Sequence, residues 1–152
     1  MGGVREKNTP YEKMKKKSDF IFIISGGSYN YVIDGNLYLL PFHSKFYHPD
    51  LINVCDVVVA KAGYSTLAEV YYSHKSFVYV KREKFKEVDV LESFIRRNVR
   101  KSLGISYENY KTGLWLESIK ELCHQDNNGG NLKFPEDNAK KCAEYIFKIA
   151  LK

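Results

Sequence analysis

The 152-residue chain is poor in the residues that build cross-linked or metal-held folds, with three cysteines, four prolines and one tryptophan. Cys55, Cys123 and Cys142 are odd in number and far apart, which excludes a disulfide scaffold and the paired C-x-x-C geometry of a zinc site. Set among apolar neighbours at helical or strand spacing, they read as buried thiols. Long hydrophobic runs are also missing. The longest, residues 20–24 and 57–60, fall far short of the roughly 18 residues that a membrane-spanning helix needs. Met1-Gly2-Gly3-Val4-Arg5-Glu6-Lys7 has charge where a signal peptide has its apolar core, so a cytoplasmic location is the expectation. There is no Asp-x-Asp pair for a divalent ion, and Asp50, Asp56 and Asp89 are too scattered to form one. No metal and no cofactor are expected.

What is present is the composition of one packed domain: 44% hydrophobic, 28% charged and 14% aromatic residues. The net charge of +6 points to a polyanionic partner such as nucleic acid, an anionic membrane surface or a phosphorylated ligand. Lys13, Lys15, Lys16 and Lys17 read as a solvated helix face. A second cluster, Lys81, Arg82, Lys84 and Lys86 with Arg96, Arg97, Arg100 and Lys101, is interleaved with Glu83, Glu87 and Glu92. It reads as solvated surface that could also meet an anionic lipid face or a diphosphate acceptor. The twelve tyrosines form no dense basic and aromatic motif, so nucleic acid is not the expected partner.

Apolar segments of strand length alternate with segments of helical period, which predicts an α/β fold with a mostly parallel sheet. The expected strands are 19–25, 37–40, 57–61, 77–81 and 103–106. The expected helices are 10–17, 66–73, 88–98 and 114–123, the last with Trp115, Ile119 and Leu122 on one stripe. Residues 125–133 form a loop by composition. Pro135 then opens a final helix, with Ala139, Cys142, Ala143, Ile146 and Ala150 as its docking stripe.

The stretch that carries chemistry is 48–70: a short helix, a buried strand, a small-residue turn Ala62-Gly63, and a helix opened by Ser65 and Thr66. A strand ending in a glycine turn before a helix exposes unpaired backbone N–H groups and the positive end of the helix dipole, and anions bind there. Gly63 lets the backbone approach a phosphate, and Ser65 and Thr66 can add hydroxyl donors. The same residues admit a purely structural role. Thr66-Leu67-Ala68-Glu69 is also a capping box, in which Thr66 caps the helix and Glu69 reaches back to the Thr66 N–H.

This stretch resembles the C-terminal half of GT-B glycosyltransferases, most closely family 28 and its relatives. The resemblance implies a Rossmann-like three-layer domain that binds a nucleotide diphosphate sugar, with uridine diphosphate as the expected carrier. It implies diphosphate contacts for Gly63, Ser65 and Thr66 and a ribose contact for Glu69. Leu39-Leu40-Pro41-Phe42 is similar to the family's base-holding strand and loop, which assigns Phe42 to the nucleobase. Residues 81–87 look like the loop facing the donor sugar, which adds Arg82 and Glu87. Tyr64 stands in the motif where the family often has a small residue, and completes the expected donor site. The chain also departs in having Val88 after Glu87, where many relatives have Gln after the acidic residue.

Met1-Gly2-Gly3 resembles the family's first glycine-rich turn without its strand, so the chain is expected to start inside a longer ancestor; a floppy terminus is the alternative. Gly26-Gly27 reads as a turn, and His43 and His48 as surface histidines near the base-binding loop. One wall of a GT-B cleft needs the other, so the resemblance implies an N-terminal half or a membrane-associated partner chain. A non-catalytic nucleotide-binding or partner-binding module is the other functional reading.

Overall fold

The structure is a computed structural model and describes residues 8–81, 86–99, 101–123 and 138–151. Strand-forming Val, Ile, Phe and Tyr residues pair into two three-stranded sheets instead of one. In the first, β1 (Phe22–Ser28) runs parallel to β3 (Leu37–Pro41), and the short β2 (Val32–Asp34) lies antiparallel on the outer side of β3. In the second, β4 (Val57–Lys61), β5 (Ser76–Val80) and β6 (Ser102–Ile105) are all parallel. Parallel neighbours need a crossover. The helix α3 (Tyr64–Tyr72) joins β4 to β5, and α4 (Val88–Asn98) lies between β5 and β6 in the chain.

Alternation along the second sheet feeds two apolar clusters. Phe77 and Tyr79 of β5, with Val58 and Ala60 of β4, face Leu67 and Val70 of α3 and Leu91 and Ile95 of α4. Val78 and Val80, with Val57, Val59, Leu103 and Ile105, face the opposite way. There they meet Phe22 and Leu37 of the first sheet, together with Met14, Trp115, Leu116 and Ile119. The second cluster therefore ties both sheets together. Phe77, Val70, Val78 and Ile95 have 0% exposure, and each such side chain contributes about 1.5–3 kcal/mol by leaving water.

The N-terminal helix α1 (Tyr11–Lys15) is held at its C-terminal end by Asn36, in the loop between β2 and β3. The Asn36 amide donates to the carbonyls of Met14, Lys17 and Phe20 at 3.1, 2.9 and 2.9 Å. Lys15 adds an ion pair with Asp34 at 2.7 Å. Gly35 beside it has φ 60°, which only glycine adopts freely. Composition had not pointed to β2, although Asp34-Gly35 is a hairpin signal.

Further along, α2 (His48–Val54) precedes β4, and α5 (Tyr107–Thr112) follows β6, capped by Ser106, whose hydroxyl accepts from the Asn109 N–H at 3.1 Å. The expected helix over 114–123 is broken into a 3-10 turn (Leu114–Glu117) and α6 (Ile119–Cys123), while Trp115 and Ile119 are buried as the stripe predicts. The last helix, α7 (Asn138–Ala150), forms, but every residue in it is exposed. Its stripe of Ala139, Cys142, Ala143, Ile146 and Ala150 is thus not docked: an amphipathic period marks a face fit for burial without supplying its cover. Pro135 and residues 1–7, with Gly2 and Gly3, lie outside the described residues.

The thiols also differ from expectation, since Cys55 and Cys123 are half-buried and Cys142 is exposed. Partial burial, aided by the Asp56 carboxylate, pushes both the Cys55 and the Cys123 thiols above the ordinary cysteine range. Thiolate is the reactive form. Under limiting iodoacetamide near neutral pH, Cys142 is expected to be alkylated first and Cys55 and Cys123 to lag, which peptide mass mapping reads directly.

A second expectation concerns Gly104, which sits in register with Tyr79 on the neighbouring strand. A Cβ there would lie 2.7 Å from the Tyr79 Cζ and hydroxyl and 2.9 Å from the Lys81 Cε. Tyr79 is 5% exposed and cannot swing aside. Gly104→Ala should therefore destabilise the fold by about 1–3 kcal/mol through overpacking, measured by urea denaturation; an unchanged midpoint would show that the strand gives way freely.

Candidate functional site

At the end of β4 the chain turns through buried Ala62 and enters α3 at Tyr64, with Gly63 in the cap position. Gly63 is extended, φ −149° and ψ 154°, a conformation open to any residue, and a Cβ built on it meets nothing within 4 Å. Neither torsion nor crowding inside the fold requires glycine here. The space beside it opens outward. No side chain caps α3, and the first N–H groups of any helix have no partner within that helix. The first helical bond runs from the Leu67 N–H to the Gly63 carbonyl at 2.9 Å.

The capping box does not form. α3 begins two residues before Thr66, so Thr66 lies inside the first turn, 3% exposed, and cannot be the cap. The sharp β4 to α3 turn sets the start of the helix at Gly63, and the T-L-A-E pattern falls three residues, nearly a full turn, too late. Ser65 beside it is exposed.

Freed from a capping role, the Glu69 carboxylate accepts a hydrogen bond from the His48 ring: Nδ1 to Oε2 is 2.7 Å. An ionised carboxylate can only accept, so the ring carries its proton on Nδ1. His48 is the first residue of α2, where Pro49 fits the opening turn and buried Ile52 anchors the helix against the fold. The two side chains are 37% and 25% exposed, so the carboxylate remains reachable from solvent.

Tyr64 and Glu87 are also brought together. Tyr64 is 57% exposed, and its hydroxyl lies within the influence of Glu87, at the cap of α4. Hydrogen bonding towards that carboxylate, followed by desolvation and the carboxylate's charge, lifts the Tyr64 phenol above its ordinary value.

The other expected residues are placed apart from these pairs. Phe42 follows β3 in the first sheet; its ring lies 3.2 Å from a Cβ built on Gly26 and meets Tyr29 edge-on at 6.4 Å. Gly26 has φ 71°, so both its backbone and the Phe42 ring favour glycine at this position; Gly26 and Gly27 are not the expected turn but lie inside β1, where the pairing with β3 shifts register between Ser25 and Ser28. Arg82 lies outside the described residues. Its neighbour Lys81 pairs with Glu92 at 3.5 Å, a carboxylate that Arg96 also approaches at 3.8 Å. His43 is exposed. Among the described residues, no three His, Cys, Asp or Glu side chains converge as a metal site would.

From sequence alone His48 reads as a surface histidine near the base-binding loop. It stands 21 positions from Glu69, a separation that no local pattern reads; only the packing of α2 on α3 joins them.

Glu69 is accordingly expected to matter little for the fold. Partly exposed pairs of this kind contribute about 0–1 kcal/mol, so Glu69→Gln should shift thermal stability by no more than about that amount. A larger loss would mean that Glu69 has a structural role which the His48 contact alone does not provide.

No protein-family model matches this chain, and no curated protein and no solved structure matches it either.

Proposed function

We propose that the chain is the donor-binding domain of a GT-B-like glycosyltransferase, a Rossmann-like three-layer unit that holds a nucleotide diphosphate sugar, with uridine diphosphate as the carrier. The observation that carries this reading is the N-terminus of α3, which no side chain caps and which begins at a glycine whose missing side chain leaves open space. A diphosphate seated there would accept from first-turn N–H groups in the favourable end of the helix dipole. Exposed Ser65 adds a hydroxyl; buried Thr66 contributes through its backbone. Glu69, further along the same helix and 25% exposed, accepts from the ribose hydroxyls.

In the reaction, the bond between the sugar's anomeric carbon and the diphosphate oxygen breaks, and the electron pair leaves with the diphosphate. The acceptor hydroxyl oxygen forms the new bond and gives its proton to a base. The α3 N-terminus stabilises the charge on the leaving group. The acceptor and the base belong to the other wall of the cleft, an N-terminal half or a membrane-associated partner chain. Among the described residues, no helix is long and apolar enough to cross a membrane.

The second reading is a nucleotide-binding or partner-binding module without catalysis. Glu87, assigned to the donor sugar, is close enough to Tyr64 to raise its phenol above the ordinary value, and a carboxylate shared in this way offers less to a sugar.

Calorimetric titration with uridine diphosphate tests the first reading. Saturable binding is expected, and Gly63→Ala should weaken it by about tenfold or more, equal to at least about 1.4 kcal/mol, because the new methyl fills the space a phosphate needs. The same substitution should change stability by less than about 1 kcal/mol, since the backbone is extended and the site uncrowded. A folded protein that takes up no uridine diphosphate favours a partner-binding module.

A further inference from the structure

His48 has no part in the donor site described above, belongs to a different helix from the α3 turn, and yet hydrogen-bonds the Glu69 side chain. We infer that His48 is a positioning residue for nucleotide binding: it fixes the Glu69 carboxylate so that Oε1 faces the ribose diol of a nucleoside diphosphate. This rests on the reading of α3 as a diphosphate cradle.

The argument is one of geometry and valence. Glu69 carries three side-chain torsions, and an unrestrained carboxylate would sample many orientations at the helix surface. The 2.7 Å bond from His48 Nδ1 engages Oε2. Among the described residues Oε1 has no such partner, and the side chain is 25% exposed. One oxygen is thus held and the other is offered. The restraint is itself anchored, because His48 opens α2, whose Pro49 and buried Ile52 fix where the imidazole stands. A carboxylate held at one oxygen presents its second as an acceptor for hydroxyl donors, the role a vicinal diol requires.

A merely structural His48 would stabilise the fold and affect every ligand alike. A positioning His48 affects only ligands with a ribose diol. The test compares uridine diphosphate with its 2′,3′-dideoxy analogue by calorimetry on the full chain. In the wild type, the diol compound should bind more tightly. His48→Ala should weaken uridine diphosphate by about tenfold, the scale of one hydrogen bond to a charged group, and leave the dideoxy compound within about twofold.

Two further variants keep the test decisive if His48→Ala does not fold. His48→Asn places an amide nitrogen near the Nδ1 position and should retain discrimination, whereas His48→Gln places it near Nε2 and should lose it. Equal losses for both ligands, or equal behaviour of the Asn and Gln variants, overturn the inference while uridine diphosphate binding stands. A wild type that binds both compounds equally also overturns it, without touching the diphosphate cradle. A wild type that binds neither overturns the donor-site reading and this inference together.

Discussion

All five residues of β5 are buried, and both faces of this strand are in contact with packed side chains. Phe77 and Tyr79 point into the cluster under α3 and α4, and Val78 and Val80 into the cluster shared with the first sheet. A slip of one residue would exchange the two sets and place two aromatic rings where valines fit. The register of β4 and β6 against β5 is therefore fixed, and with it the residue at which β4 ends. From that point the chain has only Ala62 and Gly63 in which to turn, and Ala62 is itself buried. The start of α3, and so the direction in which its first N–H groups point, follows from packing in the middle of the sheet.

That chain of constraint explains which parts of the fold were legible in the sequence. The sequence predicts β4 over 57–61 and α4 over 88–98, and both form with those bounds, because a continuous β-branched run and an i, i+3, i+4 apolar stripe are strong local signals, although β4 is only half-buried and ends on exposed Lys61. The division into two sheets was not legible, because pairing partners are chosen by long-range contacts. β2 is three residues long and exposed throughout, with no burial pattern to read; its signal was the Asp34-Gly35 turn. α5 carries no buried residue either, and its signal was the Ser106 cap. In α7 the opposite occurs, with a clear amphipathic pattern on a helix that is exposed along its whole length.

The site shows the same division between local and long-range information. T-L-A-E satisfies the sequence rule for a capping box, but the rule assumes that Thr66 is the cap. Three residues of additional helix, set by the strand before it, convert Thr66 into a buried interior residue and release Glu69. The pairs that then form, His48 with Glu69 and Tyr64 with Glu87, join residues 21 and 23 positions apart. Tyr64, which stands where the resembled family often has a small residue, is accommodated by exposure, its side chain lying largely in solvent.

The identity of residue 63 bears most directly on function. Among cap residues, Ser, Asp and Asn hold a helix start better than glycine, because their side chains accept from the first-turn N–H groups. Gly63 has an extended backbone and open space around its missing Cβ, so a serine or aspartate would fit and the fold would gain a cap. Such a side chain would also occupy the N–H groups that an anion needs, and aspartate would repel it. The stability forgone by having glycine there is only a few tenths of a kcal/mol. An uncapped end leaves its first-turn N–H groups open to an anion, and the same helix carries Glu69, whose carboxylate is held by a histidine from another helix.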